Sequence, residues 1–208
     1  MMVFGLSACG LNSDETGSQD KSRQSVESKA EKATSAAEES DMLSGKHHVT
    51  IEVEKYGTIS VELDADIAPI TVTNFVNLAK QGFYDGLTFH RIMNGFMIQG
   101  GDPTGTGAGG SDQKIKGEFQ ANGVENNLSH KRGVISMART TDYDSASSQF
   151  FIVQADSDFL DGEYAAFGNV TEGMEIVDQI CEDTPVEDNN GTVLSENQPK
   201  ITKVEVVD

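Results

Sequence analysis

The sequence predicts a mainly β domain, a closed eight-stranded antiparallel β-barrel capped by two α-helices. Three observations carry that prediction. Eight short runs between positions 49 and 207 alternate apolar with polar residues or concentrate β-branched and aromatic ones, as half-buried strands do. Two segments switch from a period of two to one of 3.6, the mark of helices. No helical segment recurs between successive strands as parallel crossovers require, so the strands are antiparallel and each helix covers an open end.

Residues 49–54 and 58–63 alternate on either side of Tyr56-Gly57 and form a first antiparallel pair. Residues 69–81 place Val72, Phe75, Val76 and Ala79 on one helical face, with Pro69 in the first turn and Gly82 past the last. Residues 88–93 and 97–100 flank Asn94-Gly95 and form a hairpin. A two-residue turn would pair Met93 with Phe96 and set Arg91 on the face opposite Met97 and Gln99. A three-residue loop, 94–96, pairs Met93 with Met97 and gathers Arg91, Met97 and Gln99 on one face with Phe96 at its lip. That register is expected, because it alone brings the polar groups together.

Residues 101–110, GDPTGTGAGG, form a loop without the Lys-Ser or Lys-Thr of a phosphate cradle. Residues 111–132 continue as loop, with a short bridge expected at 118–120. Two strands follow at 133–138 and 149–154; the second puts Gln149, Phe151 and Val153 on one face and Phe150 with Ile152 on the other. Phe159-Leu160-Asp161-Gly162 reads as a turn carrying two exposed apolar residues, and residues 164–170 as a strand. A second helix, 174–180, presents Met174, Val177 and Cys181 on one side. An acidic loop, 183–200, precedes a final strand at 201–207.

Composition narrows the function classes. The 208 residues carry a net charge of −19. Residues 46–208 hold 11 basic against 26 acidic side chains, a balance of −15. Phosphate binding needs clustered Lys and Arg, so nucleic acid is not an expected partner. Apolar content of 37% without a run of eighteen apolar residues argues against a membrane span. The chain divides into a short lipoprotein-type signal at 1–9, an acidic Ser/Glu/Ala-rich linker at 10–45 and a folded domain at 46–208. Leu6-Ser7-Ala8-Cys9 resembles the lipobox of bacterial lipoproteins, in which the cysteine is lipidated, although the apolar piece before it is shorter than a full signal peptide. The linker lacks large apolar side chains, cannot offset its chain entropy, and as a flexible tether spans on the order of 30 Å. With Cys9 lipidated only Cys181 remains, so no disulfide is expected, and Cys181 suits a buried, inert thiol. His47, His48, His90 and His130 lack ligand spacing, so no metal is expected.

The motifs FHRIMNGFMIQGGD at 89–102, SMA at 136–138, SSQFFI at 147–152, FLDG at 159–162 and FGNVTEGMEIVDQI at 167–180 together resemble the cyclophilin-type peptidyl-prolyl cis-trans isomerases over nearly all of residues 48–208. The resemblance implies the barrel with two capping helices and an isomerase acting on Xaa-Pro bonds without a cofactor. It places Arg91 at the catalytic arginine position with Gln99 beside it, and Phe96, Met97, Phe151 and Leu160 at the walls of a proline pocket. Gln149 matches a neighbouring polar group, and Ala138 with the Arg139 backbone matches the segment that pairs with substrate. Phe159 stands where animal members have Trp and Tyr164 where they have His, as in bacterial members. Phe lacks the N–H that Trp offers cyclosporin, so weak cyclosporin binding is expected. The implied partners are proline-containing polypeptides, including unfolded secreted proteins. The implied protein is a monomer on the extracytoplasmic face of a bacterial membrane, held there only through Cys9. A module that binds proline segments without turning them is the alternative reading.

Overall fold

The computed structural model describes residues 42–208. The lipidation signal at Cys9 and residues 10–41 of the expected linker lie outside the described residues. Eight strands form one sheet: β1 Lys46–Val53, β2 Gly57–Asp64, β3 Phe89–Met93, β4 Met97–Gly100, β5 Val134–Met137, β6 Phe150–Val153, β7 Ala166–Glu172 and β8 Ile201–Val206. Helix α1, Pro69–Lys80, and helix α2, Met174–Asp183, complete the frame. Among the described residues no helix is long and apolar enough to cross a membrane.

The strand order is β3-β4-β6-β5-β7-β2-β1-β8, and the paired strands are antiparallel. The expected closed barrel is therefore corrected to an open half-barrel with β3 and β8 at its edges. Those edges meet through one isolated bridge, Thr88 to Lys200, rather than a ladder. Next to it Pro199 accepts the Phe89 N–H at 3.0 Å but has no N–H to return, so pairing stops there.

Further expectations shift for local reasons. The bridge of the 111–132 segment joins Ile115 to Ala146 instead of lying at 118–120. Tyr164 precedes β7 because the chain turns tightly before it, Ala166 N donating to Tyr164 O at 3.1 Å. Leu160 is buried at 8% exposure, leaving Phe159, at 72%, as the exposed apolar residue of its turn. Cys181 is buried as expected, and burial pushes its thiol up to about 12.

The half-barrel encloses an aromatic centre. Phe75 on α1 stacks on Tyr84 at 4.9 Å and meets Phe150 and Phe167 at 5.4 Å. Strands β4, β5, β6 and the start of β7 are buried on both faces. Ile98, Ile135, Phe150, Ile152 and Phe167 point into this core. Met97, Val134, Phe151, Val153 and Ala166 form a smaller cluster on the outside.

Buried polar groups hold the connections. The residue before α1, Ala68, offers no side-chain cap and the first turn carries no acid. Glu118, 2% exposed, supplies the cap from a distant loop, its carboxylate accepting Ile70 N at 3.0 Å, Thr71 N at 2.7 Å and the Thr71 hydroxyl at 2.7 Å. Asp102 organises the glycine loop by accepting N–H groups from Thr104, Thr106, Gly107 and Gly109. Burial by itself raises its carboxyl, but these donors outweigh it and hold Asp102 at about 2. His130, 1% exposed, lies between Asp161 at 2.8 Å and the Ser136 hydroxyl at 3.0 Å. Burial lowers the pKa of His130 and of His90 from the ordinary 6.5, against the opposing pull of Asp161 on the first and Asp102 on the second.

Removing the Glu118 carboxylate leaves buried N–H groups unpaired, so Glu118→Ala lowers unfolding free energy by about 3 kcal/mol. Urea denaturation checks this: a shift no larger than that of the exposed Glu187→Ala removes the cap from the account. Both buried imidazoles bind a proton less readily folded than unfolded, so their contribution is present above pH 6.5 and is lost on acidification. Exposed His48, raised by Asp208, acts in the opposite direction. The urea midpoint falls from pH 7 to pH 5, and His130→Gln flattens that fall; equal slopes for variant and wild type rule out His130 as a contributor.

Candidate active site

The β3–β4 hairpin decides which side chains meet. Met93 pairs with Met97 and Arg91 with Gln99, so the loop has the three residues expected, closed by Phe96 N donating to Met93 O at 2.9 Å. Register then runs straight across the sheet. Gln99 opposes Phe151 on β6, and Phe151 opposes Ser136 on β5. Arg91, Gln99 and Phe151 thus stand in one row on the outer face. A bulge at His90, the extra residue between the paired Phe89 and Arg91, turns Phe89 into the main core while Arg91 stays outside. The hairpin tip is pinned by Gln154, whose side chain accepts Gly95 N at 2.5 Å and whose backbone N–H donates to Phe96 O at 2.8 Å.

Arg91 is half-buried and held from two sides. Nη1 donates to Gln99 Oε1 at 3.2 Å, while Nε donates to the Asn190 carbonyl at 2.8 Å. Gln99 Nε2 donates to Gln149 Oε1 at 2.9 Å, and Gln149 Nε2 donates to the Gly109 carbonyl at 2.7 Å. A chain of amides therefore links the guanidinium to the loop that Asp102 shapes. On the other side the Asp188 carboxylate accepts Asn190 N at 2.9 Å and Thr192 N at 3.1 Å. Gly191 sits at φ +81° against the Ile92 carbonyl, where a Cβ has no room. Burial lowers the Arg91 pKa, with Tyr164 and Asp188 offsetting part of the loss; the group stays cationic.

In front of this guanidinium lies a hollow of about 630 Å³. Of the residues singled out for a proline pocket, Arg91, Phe96, Met97, Gln99, Ala138, Arg139, Phe151, Phe159, Leu160 and Tyr164 all line it. Met97, Phe151 and Leu160 make a buried floor. Phe96 and Phe159 form an aromatic lip, their rings 5.5 Å apart. His130 stacks behind Phe151 at 6.1 Å, and Tyr164 meets the Phe151 ring edge at 6.0 Å. Gln149 does not line this hollow. It lines a second one of about 400 Å³, which shares Gln99, Gly107, Ala108, Ala138 and Arg139 with the first and adds Lys114, Ser145 and Ser147.

Sequence reasoning missed His90, Thr106, Gly107, Ala108, Asn190 and Thr192, which also line the first hollow. Asn190-Gly191 is legible as a turn, but nothing local ties it to an arginine 99 positions away. Among the described residues no three His, Cys, Asp or Glu side chains gather to hold a metal. The arrangement offers a fixed cation beside an apolar recess.

The family model described as "Cyclophilin type peptidyl-prolyl cis-trans isomerase/CLD" matches residues 48–206. A Helicobacter pylori protein named "Peptidyl-prolyl cis-trans isomerase" is 47% identical over 135 residues, 64% of this chain and 79% of that protein. "Peptidyl-prolyl cis-trans isomerase B" of Bacillus subtilis is 42% identical over 144 residues, 69% of this chain and 92% of that protein. Among solved structures, a cyclophilin-type isomerase of Cryptosporidium parvum superposes with a TM-score of 0.69 at 31% identity, covering 78% of this chain and 98% of its own. The same protein was also solved in the presence of the dipeptide Ala-Pro, with a TM-score of 0.68. An arginine beside an apolar recess, on a half-barrel that superposes on 98% of the Cryptosporidium parvum chain, and a family model that matches residues 48–206 lead to one conclusion: this chain belongs to the cyclophilin-type peptidyl-prolyl cis-trans isomerase family.

Proposed function

We propose that the 630 Å³ hollow is where an Xaa-Pro bond of a polypeptide turns, with Arg91 as the catalytic group. The position of the guanidinium at the edge of an apolar recess carries the reading. Rotation about the bond breaks amide resonance and faces a barrier of about 18–20 kcal/mol. Halfway through the turn the proline nitrogen becomes pyramidal and recovers its lone pair. An N–H of Arg91 donates to that nitrogen, an interaction that the planar ground state does not offer. Stabilisation confined to the transition state is what accelerates the step. Met97, Phe151, Leu160 and the Phe96–Phe159 lip grip the proline ring while the preceding carbonyl swings. Gln99 and Asn190 keep the guanidinium from following. The reaction transfers no proton and needs no cofactor. The relative solved in the presence of Ala-Pro supports a proline-containing segment as the occupant here.

We further propose that the protein is lipid-anchored through Cys9 on the extracytoplasmic face of a bacterial membrane, where it assists the folding of secreted or surface proteins. The Leu6-Ser7-Ala8-Cys9 motif and the Ser- and Glu-rich stretch behind it support this placement.

Exchange NMR on an Ala-Pro peptide tests the first proposal. Arg91→Ala lowers kcat/KM by roughly a hundredfold, the worth of one preorganised donor, with the melting temperature held within a few degrees. Full activity in that variant removes Arg91 from the mechanism, and peptide binding without exchange in the wild type favours the holding module. For the anchor, membrane fractionation and mass spectrometry of the full chain show a lipid-modified Cys9, and Cys9→Ser moves the protein to the soluble fraction. An unmodified Cys9 in membrane-bound protein overturns the anchor.

A further inference from the structure

Arg139 lines both hollows, yet its side chain is only 9% exposed. The guanidinium carbon lies 5.0 Å from the centre of the Phe119 ring, 4.8 Å from Tyr143 and 4.7 Å from Tyr164. Its donors are engaged along the edge. Nε and Nη2 reach the Glu163 carbonyl at 3.0 and 2.8 Å, Nη1 reaches the Thr140 carbonyl at 2.8 Å, and Nη2 meets the Glu163 carboxylate at 3.3 Å. The three rings come from separate places: Phe119 from the buried segment beside Glu118, Tyr143 from the loop between β5 and β6, and Tyr164 from the wall of the first hollow. Tyr164 in turn bears on the edge of Phe151, on the floor of that hollow.

A planar cation suits this setting because it stacks on aromatic faces and donates from its rim at once. An ammonium presents one compact charge and cannot do both. We infer that Arg139 is a positioning residue: from its place in the partition between the two hollows it locks Tyr164 in the wall of the first and the 139–148 loop in the wall of the second. Through that partition it sets which side chains flanking proline the second hollow admits. The inference rests on the proposed reading of the first hollow and adds a determinant of specificity to it.

The test measures kcat and KM by exchange NMR for proline peptides whose flanking residue is Gly, Leu or Phe. Wild type and Arg91→Ala run alongside Arg139→Ala, Arg139→Lys, Tyr164→Ala and the Arg139→Ala/Tyr164→Ala double variant. In Arg139→Ala, KM rises roughly tenfold, the worth of one desolvated cation–ring contact, kcat carries little of the loss, and the preference between small and large flanking residues shifts. Arg139→Lys does not rescue, Tyr164→Ala reproduces the change, and the double variant is no worse than either single. Arg139 variants with lower melting temperature but unchanged KM and preference overturn the inference, since a strut that serves stability alone moves only the first. Additive losses in the double variant, or rescue by lysine, also overturn it. An inactive Arg91→Ala beside neutral Arg139 variants removes this inference alone. A fully active Arg91→Ala removes the reading of the hollow, and this inference with it.

Discussion

The site depends on strand register. Because Met93 opposes Met97, Arg91 faces Gln99, and because Gln99 opposes Phe151, a cation, an amide and an aromatic ring fall in one row across three strands. A slip of one residue in either ladder would turn a member of that row into the core. Both ladders resist slipping because β4 and β6 are buried on two faces, with isoleucines and Phe150 on one side and Met97, Phe151 and Val153 on the other. The same apolar burial that stabilises the half-barrel therefore aims the polar groups outside it.

Once aimed, the guanidinium is immobilised by loops rather than strands. One arm runs through Gln99 and Gln149 to a glycine loop shaped around Asp102. The other ends at Asn190, in a turn shaped around Asp188. Each carboxylate collects backbone N–H groups, and each is held below the ordinary carboxylate range by them. The role proposed for Arg91 benefits from such fixing, since a preorganised donor need not reorganise as charge moves in the transition state. The strongly acidic chain thus uses some of its negative charge internally, to shape the loops that hold its cation.

How far the sequence could be read follows from the range of the interactions involved. The hairpin register, the two faces of residues 149–154 and the apolar face of α1 were all legible, because pleat and helix periods act between neighbours in the chain. The His90 bulge was not, since an unpaired extra residue leaves no signature in alternation. Glu118 looked like part of a bridge, whereas it caps a helix 47 positions earlier. Leu160 and Phe159 read alike as neighbours in a turn, and only the outer cluster decides that one is buried and the other forms the lip. The motif resemblance named the residues of the hollow but not the loops that complete it.

By itself the sequence determined a β-rich domain, the order of its strands and helices, and a hairpin face that carries Arg91, Met97 and Gln99 together. Those are local or compositional facts, set by side-chain period, turn chemistry and the residues available. Only the tertiary structure decided that the sheet stays open at Pro199, that Asn190 holds the arginine from behind, and that Arg139 is packed among three rings. Each of these joins segments far apart in the chain. Which distant partner a buried polar group finds depends on how the whole chain closes around it, and no local pattern encodes that.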